Sequence, residues 1–242
     1  MERRRSGISR SAAASYLAYM SKDPGSDTMP DAAEIVRRLE SVRQNVPSLR
    51  GVRRELSREL KPFDGGAVLA LGIEVTPVVP RWLACELVAN HPGAFAGLNR
   101  KTVEQLGEGI ASWYDTDGFG IIIAGTAWRA GLLPDEAVAE WAGSKDMWWR
   151  RNALVTTVPL NVAATGKGDA ARTLAICRLL LDDRDDMVVK AMSWALRALS
   201  VRDPSAAERF LVENEHRLAP RVKRELRHKL ATGVKNPRRK AG

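Results

Sequence analysis

Two stretches of the chain echo one another at an offset of 40 residues: KDMWWRRNAL (145–154) and DDMVVKAMSW (185–194). Each places Asp-Met ahead of two large apolar residues and a base. A unit of this length, made of two helices, cannot bury its own apolar face, so neighbouring units must stack into a continuous core. The rest of the chain agrees with that constraint. Short amphipathic runs are separated by Pro, Gly and Asp, and the only β-like run, GIIIAG (120–125), sits inside a helix-length segment. The pattern predicts helices over 11–21, 31–45, 49–60, 66–73, 78–90, 100–112, 117–130, 134–143, 147–160, 168–181, 187–200, 204–214 and 219–231. Start signals are legible in PDAAE (30–34), PDEAV (134–138) and DPSAAE (203–208), which put Pro and acids in a first turn. The expected architecture is all-α: stacked helix pairs forming a curved solenoid, whose concave face takes a long partner.

Charge suggests what that partner is. The net charge of +9 is unevenly placed, because residues 217–242 hold ten Lys/Arg and one acid, Glu225, leaving the preceding residues neutral in sum. A basic end of this kind points to a polyanion, nucleic acid first; the competing reading is a solvated helix followed by a disordered tail. Three segments are expected: a basic, helical stretch over 1–25, a repeat domain over 26–232 and a disordered basic tail over 233–242. The 242 residues are 45% apolar, enough for a real core. Cys85 and Cys177 stand alone, with neither metal-ligand nor disulfide spacing, which fits a reducing, cytoplasmic setting. No apolar run has the length of a signal or membrane segment, so neither a secreted nor a membrane protein is expected.

Half of the 14 aromatic residues are Trp, so the position of each matters. On a helix over 187–199, Val188, Ala191, Met192, Ala195 and Leu199 form a packing stripe, while Lys190, Ser193, Trp194 and Arg197 fall opposite. Trp194 then either faces a ligand between two cations or covers a neighbouring helix. The helix over 147–160 is apolar most of the way round, which makes it central. Arg150 and Arg151 must leave it, toward a ligand or toward a core acid, and the periodicity matches either one to Lys190. SWYDTDGFG (112–120) sets a Trp four residues ahead of Asp117 where the face of the helix 100–112 runs out. Asp117 or Thr116 is either the N-cap of the next helix, or Asp117 is a carboxylate held one turn from an indole on a cleft wall.

Four motifs in order give a resemblance: WYDTD, MWWRRNAL, KAMSWALR and ENEHRLAPRVKRELRHKL, with VPSLRGVRREL as a fifth, earlier segment. Over roughly residues 30–231 the chain resembles the DNA alkylation repair family of AlkD-like DNA glycosylases. That resemblance implies a HEAT-like helical-repeat superhelix with a concave DNA-binding face. It implies that Trp113 and Trp194 line the site and that Asp117 is the catalytic carboxylate, with Asp115, two residues earlier, as the alternative. Arg151, rather than Arg150, matches a DNA-contacting arginine, and Lys190 and Arg197 match basic positions on the same face. Arg150 and the C-terminal Arg221, Lys223, Arg224 and Arg227 complete the expected DNA-binding set. The implied partner is double-stranded DNA containing alkylated purines. The implied reaction is monofunctional hydrolysis of the N-glycosidic bond at cationic N3- or N7-alkylpurines, without a Lys nucleophile, base flipping, metal or cofactor. A monomer is expected. The alternatives are a non-catalytic HEAT module that binds bent or branched DNA and, from another class, a protein–protein scaffold.

Overall fold

The computed structural model describes residues 28–162 and 166–235. The expected helix over 11–21, the segment 1–25 around it and residues 236–242 of the basic tail lie outside the described residues. The chain divides into one unit over 1–30 and a second over 31–242, and the second holds all of the described helices.

Among the described residues there are fifteen α-helical segments, one π-helical turn and no strand. The helices are α1 (Ala32–Glu40), α2 (Val46–Glu59), α3 (Gly65–Val75), α4 (Arg81–Ala89), α5 (Pro92–Ala96), α6 (Arg100–Gly107), α7 (Trp113–Phe119), α8 (Gly125–Arg129), α9 (Asp135–Ala142), α10 (Met147–Thr156), α11 (Val158–Asn161), α12 (Ala170–Leu179), α13 (Asp186–Arg202), α14 (Pro204–Glu213) and α15 (Pro220–Thr232). Side-chain caps explain where many of them begin. Asp31, Asn45, Asp64, Asn99, Asp169 and Asp203 each accept a hydrogen bond from a first-turn backbone N–H that has no intrahelical partner. The same short polar residues that broke the amphipathic pattern in the sequence therefore start the helices in space.

Several expected boundaries shift. The helix expected over 31–45 stops at Glu40, and a new one starts at the Asn45 cap. A short helix, α5, follows His91 and was not foreseen. The helix expected over 100–112 stops at Gly107, because Gly109 adopts φ +71°, a left-handed conformation that ends helical hydrogen bonding. The helix expected over 117–130 instead starts at Trp113 and runs through α7, a π turn over Gly120–Ala124 and α8. GIIIAG is that π turn, with the Gly125 N–H reaching the Gly120 carbonyl. Thr126 Oγ1 donates to the Ile122 and Ile123 carbonyls at 2.6 and 2.9 Å, which satisfies groups left by the changed register.

The helix α10 is central, as its sequence implied: residues 151–156 are all buried, and it packs on α7, α9 and α13, with α13 packed in turn on α15. Close approach of α10 to the π segment depends on glycine. A Cβ on Gly125 would stand 2.6 Å from the Thr156 carbonyl oxygen. Behind the same segment, Phe119 is fully buried between Trp141 and Trp149, with ring centroids 6.1 and 6.0 Å away, and those two indoles are 5.0 Å apart. Truncating Phe119 to Ala would open a cavity at a cost of about 3–5 kcal/mol.

Polar links tie together helices well separated in the chain. Arg100 reaches Glu140, 40 residues on; Arg150 reaches Asp183, 33 on; Arg217 reaches Asp182, 35 back; Ser193 reaches Glu225, 32 on.

Candidate active site

The α7 helix begins with Ser112, whose Oγ accepts from the Asp115 N–H at 3.1 Å and donates to Asp115 Oδ2 at 2.7 Å. Ser112 is thus the N-cap, and Asp115 is bound into the cap. Asp117 lies inside the helix, so the N-cap reading of Asp117 or Thr116 is corrected. Thr116 is fully buried and donates to the Ser112 carbonyl at 2.7 Å. Four residues apart, Trp113 and Asp117 share a face of α7.

That face opens on a cleft of about 520 Å³ lined by Trp113, Asp117, Arg151, Met187, Lys190, Trp194, Arg197, Arg221, Glu225 and Lys235. Helical spacing accounts for the membership. Met187, Lys190, Trp194 and Arg197 follow one strip of α13, and Arg221 and Glu225 lie one turn apart on α15. Five cations face two acids in the lining, which makes the cleft electropositive.

Arg151 sits at the centre of these contacts. Its side chain is 6% exposed, and one Nη donates to Asp117 Oδ1 at 2.6 Å while the other donates to the Met187 carbonyl at 2.7 Å. One guanidinium therefore ties α10 to both walls of the cleft, α7 and α13. Burial pushes the Asp117 carboxyl up from its ordinary value, and the hydrogen bond from Arg151 opposes that rise. The result is a partly desolvated carboxylate beside a single fixed cation.

The two indoles differ. Trp113 is 54% exposed, with Tyr114 packed edge-on at a centroid distance of 5.9 Å; Trp194 is half-buried. The other tryptophans with ring partners serve packing. Trp128 donates to Asp135 at 2.7 Å, Trp141 donates to Glu104 at 3.2 Å, and Trp149 joins the cluster around Phe119.

The remaining expected residues separate into two groups. Lys190 pairs with Asp186 at 2.6 Å, and Arg221 approaches the other oxygen of Asp186 at 3.6 Å, so one exposed carboxylate bridges two cleft cations. Arg197 lies 3.6 Å from Glu225 and donates to Ser193 Oγ at 3.2 Å. Ser193 itself is fully buried and donates to Glu225 at 2.7 Å; the helical wheel had put it on the open side, and the packing of α15 on that edge closes it in. Arg150, Lys223, Arg224 and Arg227 do not line the cleft. Arg150 is held by Asp183 at 2.7 Å, by Asp185, and by the carbonyls of Ser144 and Lys145. Arg227 pairs with Glu215. The sequence reading did not include Met187, Glu225 or Lys235. Helical spacing from Lys190 and from Arg221 would have found the first two. Lys235 follows Gly233, whose φ of +74° ends α15.

Among the described residues no group of three or more His, Cys, Asp or Glu could hold a metal ion, and no helix is long and apolar enough to cross a membrane.

An all-helical fold with an electropositive cleft is suited to an anionic partner. Comparison with protein families makes the assignment more specific: the family described as DNA alkylation repair enzyme matches residues 80–230. The chain belongs to that family, as its motifs implied. The matched segment carries every cleft residue except Lys235. Neither a search of curated proteins nor one of solved structures returns a significant match.

Proposed function

We propose that the protein is a monofunctional DNA glycosylase that hydrolyses the N-glycosidic bond of cationic N3- or N7-alkylpurines in duplex DNA held by a HEAT-like superhelix. The observation that carries this reading is the Asp117–Arg151 pair, a desolvated carboxylate held at 2.6 Å by a buried guanidinium in a cleft that also presents Trp113 and Trp194. Alkylation at N3 or N7 makes the purine a good leaving group. The bond to C1′ breaks, the purine departs with the electron pair as a neutral base, and the sugar becomes oxocarbenium-like. Asp117 stabilises that positive charge and positions a water, which adds to C1′ and loses a proton to leave an abasic site. The two indole faces attract the cationic base and sugar, at about 0.5–2 kcal/mol each. Lys190, Arg197 and Arg221 contact phosphates and set the register. Arg151, whose Nη atoms are both engaged, acts chiefly by orienting Asp117 and keeping it ionised.

The test is to incubate the protein with a duplex carrying one defined N7- or N3-alkylpurine and measure free base. Release by the wild type and its loss in Asp117→Asn is the expected outcome. Binding with no release from either adduct would instead identify a module that only binds DNA.

A further inference from the structure

A second cationic surface lies on α2, outside the segment matched to the family. At about 100° per residue, Arg50, Arg54 and Arg58 fall on one strip of this helix, and Lys61, just beyond it, continues the strip. All four side chains are exposed. The flanking faces of α2 are neutralised: Arg53 pairs with Glu86 at 2.7 Å, and Glu59 accepts a two-pronged contact from Arg38 at 2.7 and 2.8 Å. On the strip itself, no carboxylate among the described residues comes within ion-pair distance.

Like charges at i and i+4 weaken a helix, and Arg50, Arg54 and Arg58 make two such pairs in succession. A polyanion reverses the sign of that effect. The strip is also tied to the active site by packing. The Arg50 guanidinium lies 5.7 Å over the Trp82 ring. Trp82 in turn packs against α7 at Gly118, where a Cβ would stand 3.1 Å from Trp82 Cβ. Gly118 directly follows Asp117 in the chain. From Arg50 to Lys61 the strip extends about 16 Å, enough to meet several phosphates of one DNA strand at roughly one per 3.4 Å of axis.

We propose that this strip of α2 is a second phosphate-contact surface, which binds duplex DNA flanking the lesion; the inference rests on the reading of the cleft as a DNA site. The test is the triple variant Arg54→Gln, Arg58→Gln, Lys61→Gln, with Arg50 left in place over Trp82. Affinity for a long unmodified duplex is measured against salt concentration. The log–log slope should become shallower by about 2–3, or about 0.9 per lost contact, while single-turnover base release at saturating DNA stays at the wild-type rate. The melting temperature should not fall, because like-charge pairs have been relieved. A matched variant, Lys101→Gln, Lys145→Gln, Arg209→Gln, removes the same charge elsewhere. An unchanged slope in the α2 variant, or an equal loss in the matched variant, overturns the proposal. Because the readout is binding, the two readings fail separately. A wild type that binds but never releases base would sink the glycosylase reading and leave the α2 surface intact.

Discussion

Arg150 and Arg151 are neighbours on α10, yet they serve two different regions. Arg150 reaches into a joint between α10 and the turn that precedes α13, where Asp183, Asp185 and two backbone carbonyls use its donors. Arg151 reaches into the cleft, where it meets one carboxylate and one carbonyl. At the joint two carboxylates meet one arginine, so the contact holds helices together. In the cleft the cations outnumber the acids, and the central acid is desolvated. The same arginine–carboxylate chemistry gives cohesion in one region and a poised charge in the other, and the difference lies in stoichiometry and burial.

The largest expected effect tests the cleft side of that contrast. Asp117→Asn keeps the shape and removes the charge, and base release should fall by on the order of 10²–10³ while duplex affinity holds. Asp115→Asn changes a residue tied into the Ser112 cap and should leave the rate near wild type. Comparable losses from both substitutions in a single-turnover assay would mean that the helix, not the Asp117 charge, is what matters.

Next in size are the two arginines. Arg150→Ala leaves Asp183, which is only 11% exposed, without its partner, so folding stability should drop by ~3 kcal/mol, with an unchanged salt dependence of DNA binding. Arg151→Gln acts differently. Burial already raises the folded-state pKa of Asp117, so the folded chain holds that proton more tightly than the unfolded one. This favours folding at low pH, and the contribution is lost as pH rises through the raised pKa. Taking away Arg151 removes the interaction that opposes the rise. The acid limb of the base-release profile should therefore move to higher pH in Arg151→Gln. An acid limb that stays in place would show that Arg151 does not tune Asp117.

Much of this contrast was legible in the sequence, though unevenly. Most of the helices could be read because apolar periodicity and starts at Pro and acidic residues are local signals. The face of α13 that carries Lys190, Trp194 and Arg197 could also be read, because helical geometry alone fixes it. Ser193 could not: its burial depends on α15 packing against that edge. The start of α7 was misplaced because Thr116 and Asp117 are themselves good cap residues, and only the hydrogen bonds between Ser112 and Asp115 show that the helix begins one turn earlier. Whether Arg150 or Arg151 faces the cleft was ambiguous for a similar reason. Adjacent residues on a buried helix both have to leave it, and only their partners, 33 and 34 residues away, separate them.

The two indoles sharpen the comparison within the cleft. Trp194 is half-buried on α13, and Trp113 projects from the first turn of α7 with more than half its surface exposed. At about 0.5–2 kcal/mol per cation–π contact, each Trp→Ala change should slow base release by about 2–30-fold. Trp194→Ala should also lower stability measurably, and Trp113→Ala should not. If thermal melts show the reverse, Trp113 is the structural ring and Trp194 the mobile one.

The smallest effect concerns Asp186, which occupies both Lys190 and Arg221 from an exposed position at the start of α13. Lys190 holds the Asp186 carboxyl below the ordinary carboxylate range, so at neutral pH it is an anion, and on the function proposed above it stands where a DNA phosphate would bind. Binding must displace it, and the cost is small because exposed ion pairs are weak. Asp186→Asn frees both cations without changing their positions, so duplex affinity should rise by about two- to five-fold. The rate of base release at saturating DNA should not change, because Asp186 does not line the cleft near Asp117. The same substitution at Asp185, which serves the Arg150 joint, should leave affinity where it was. If Asp185→Asn tightens binding as much as Asp186→Asn, the joint and the cleft are not electrostatically separate.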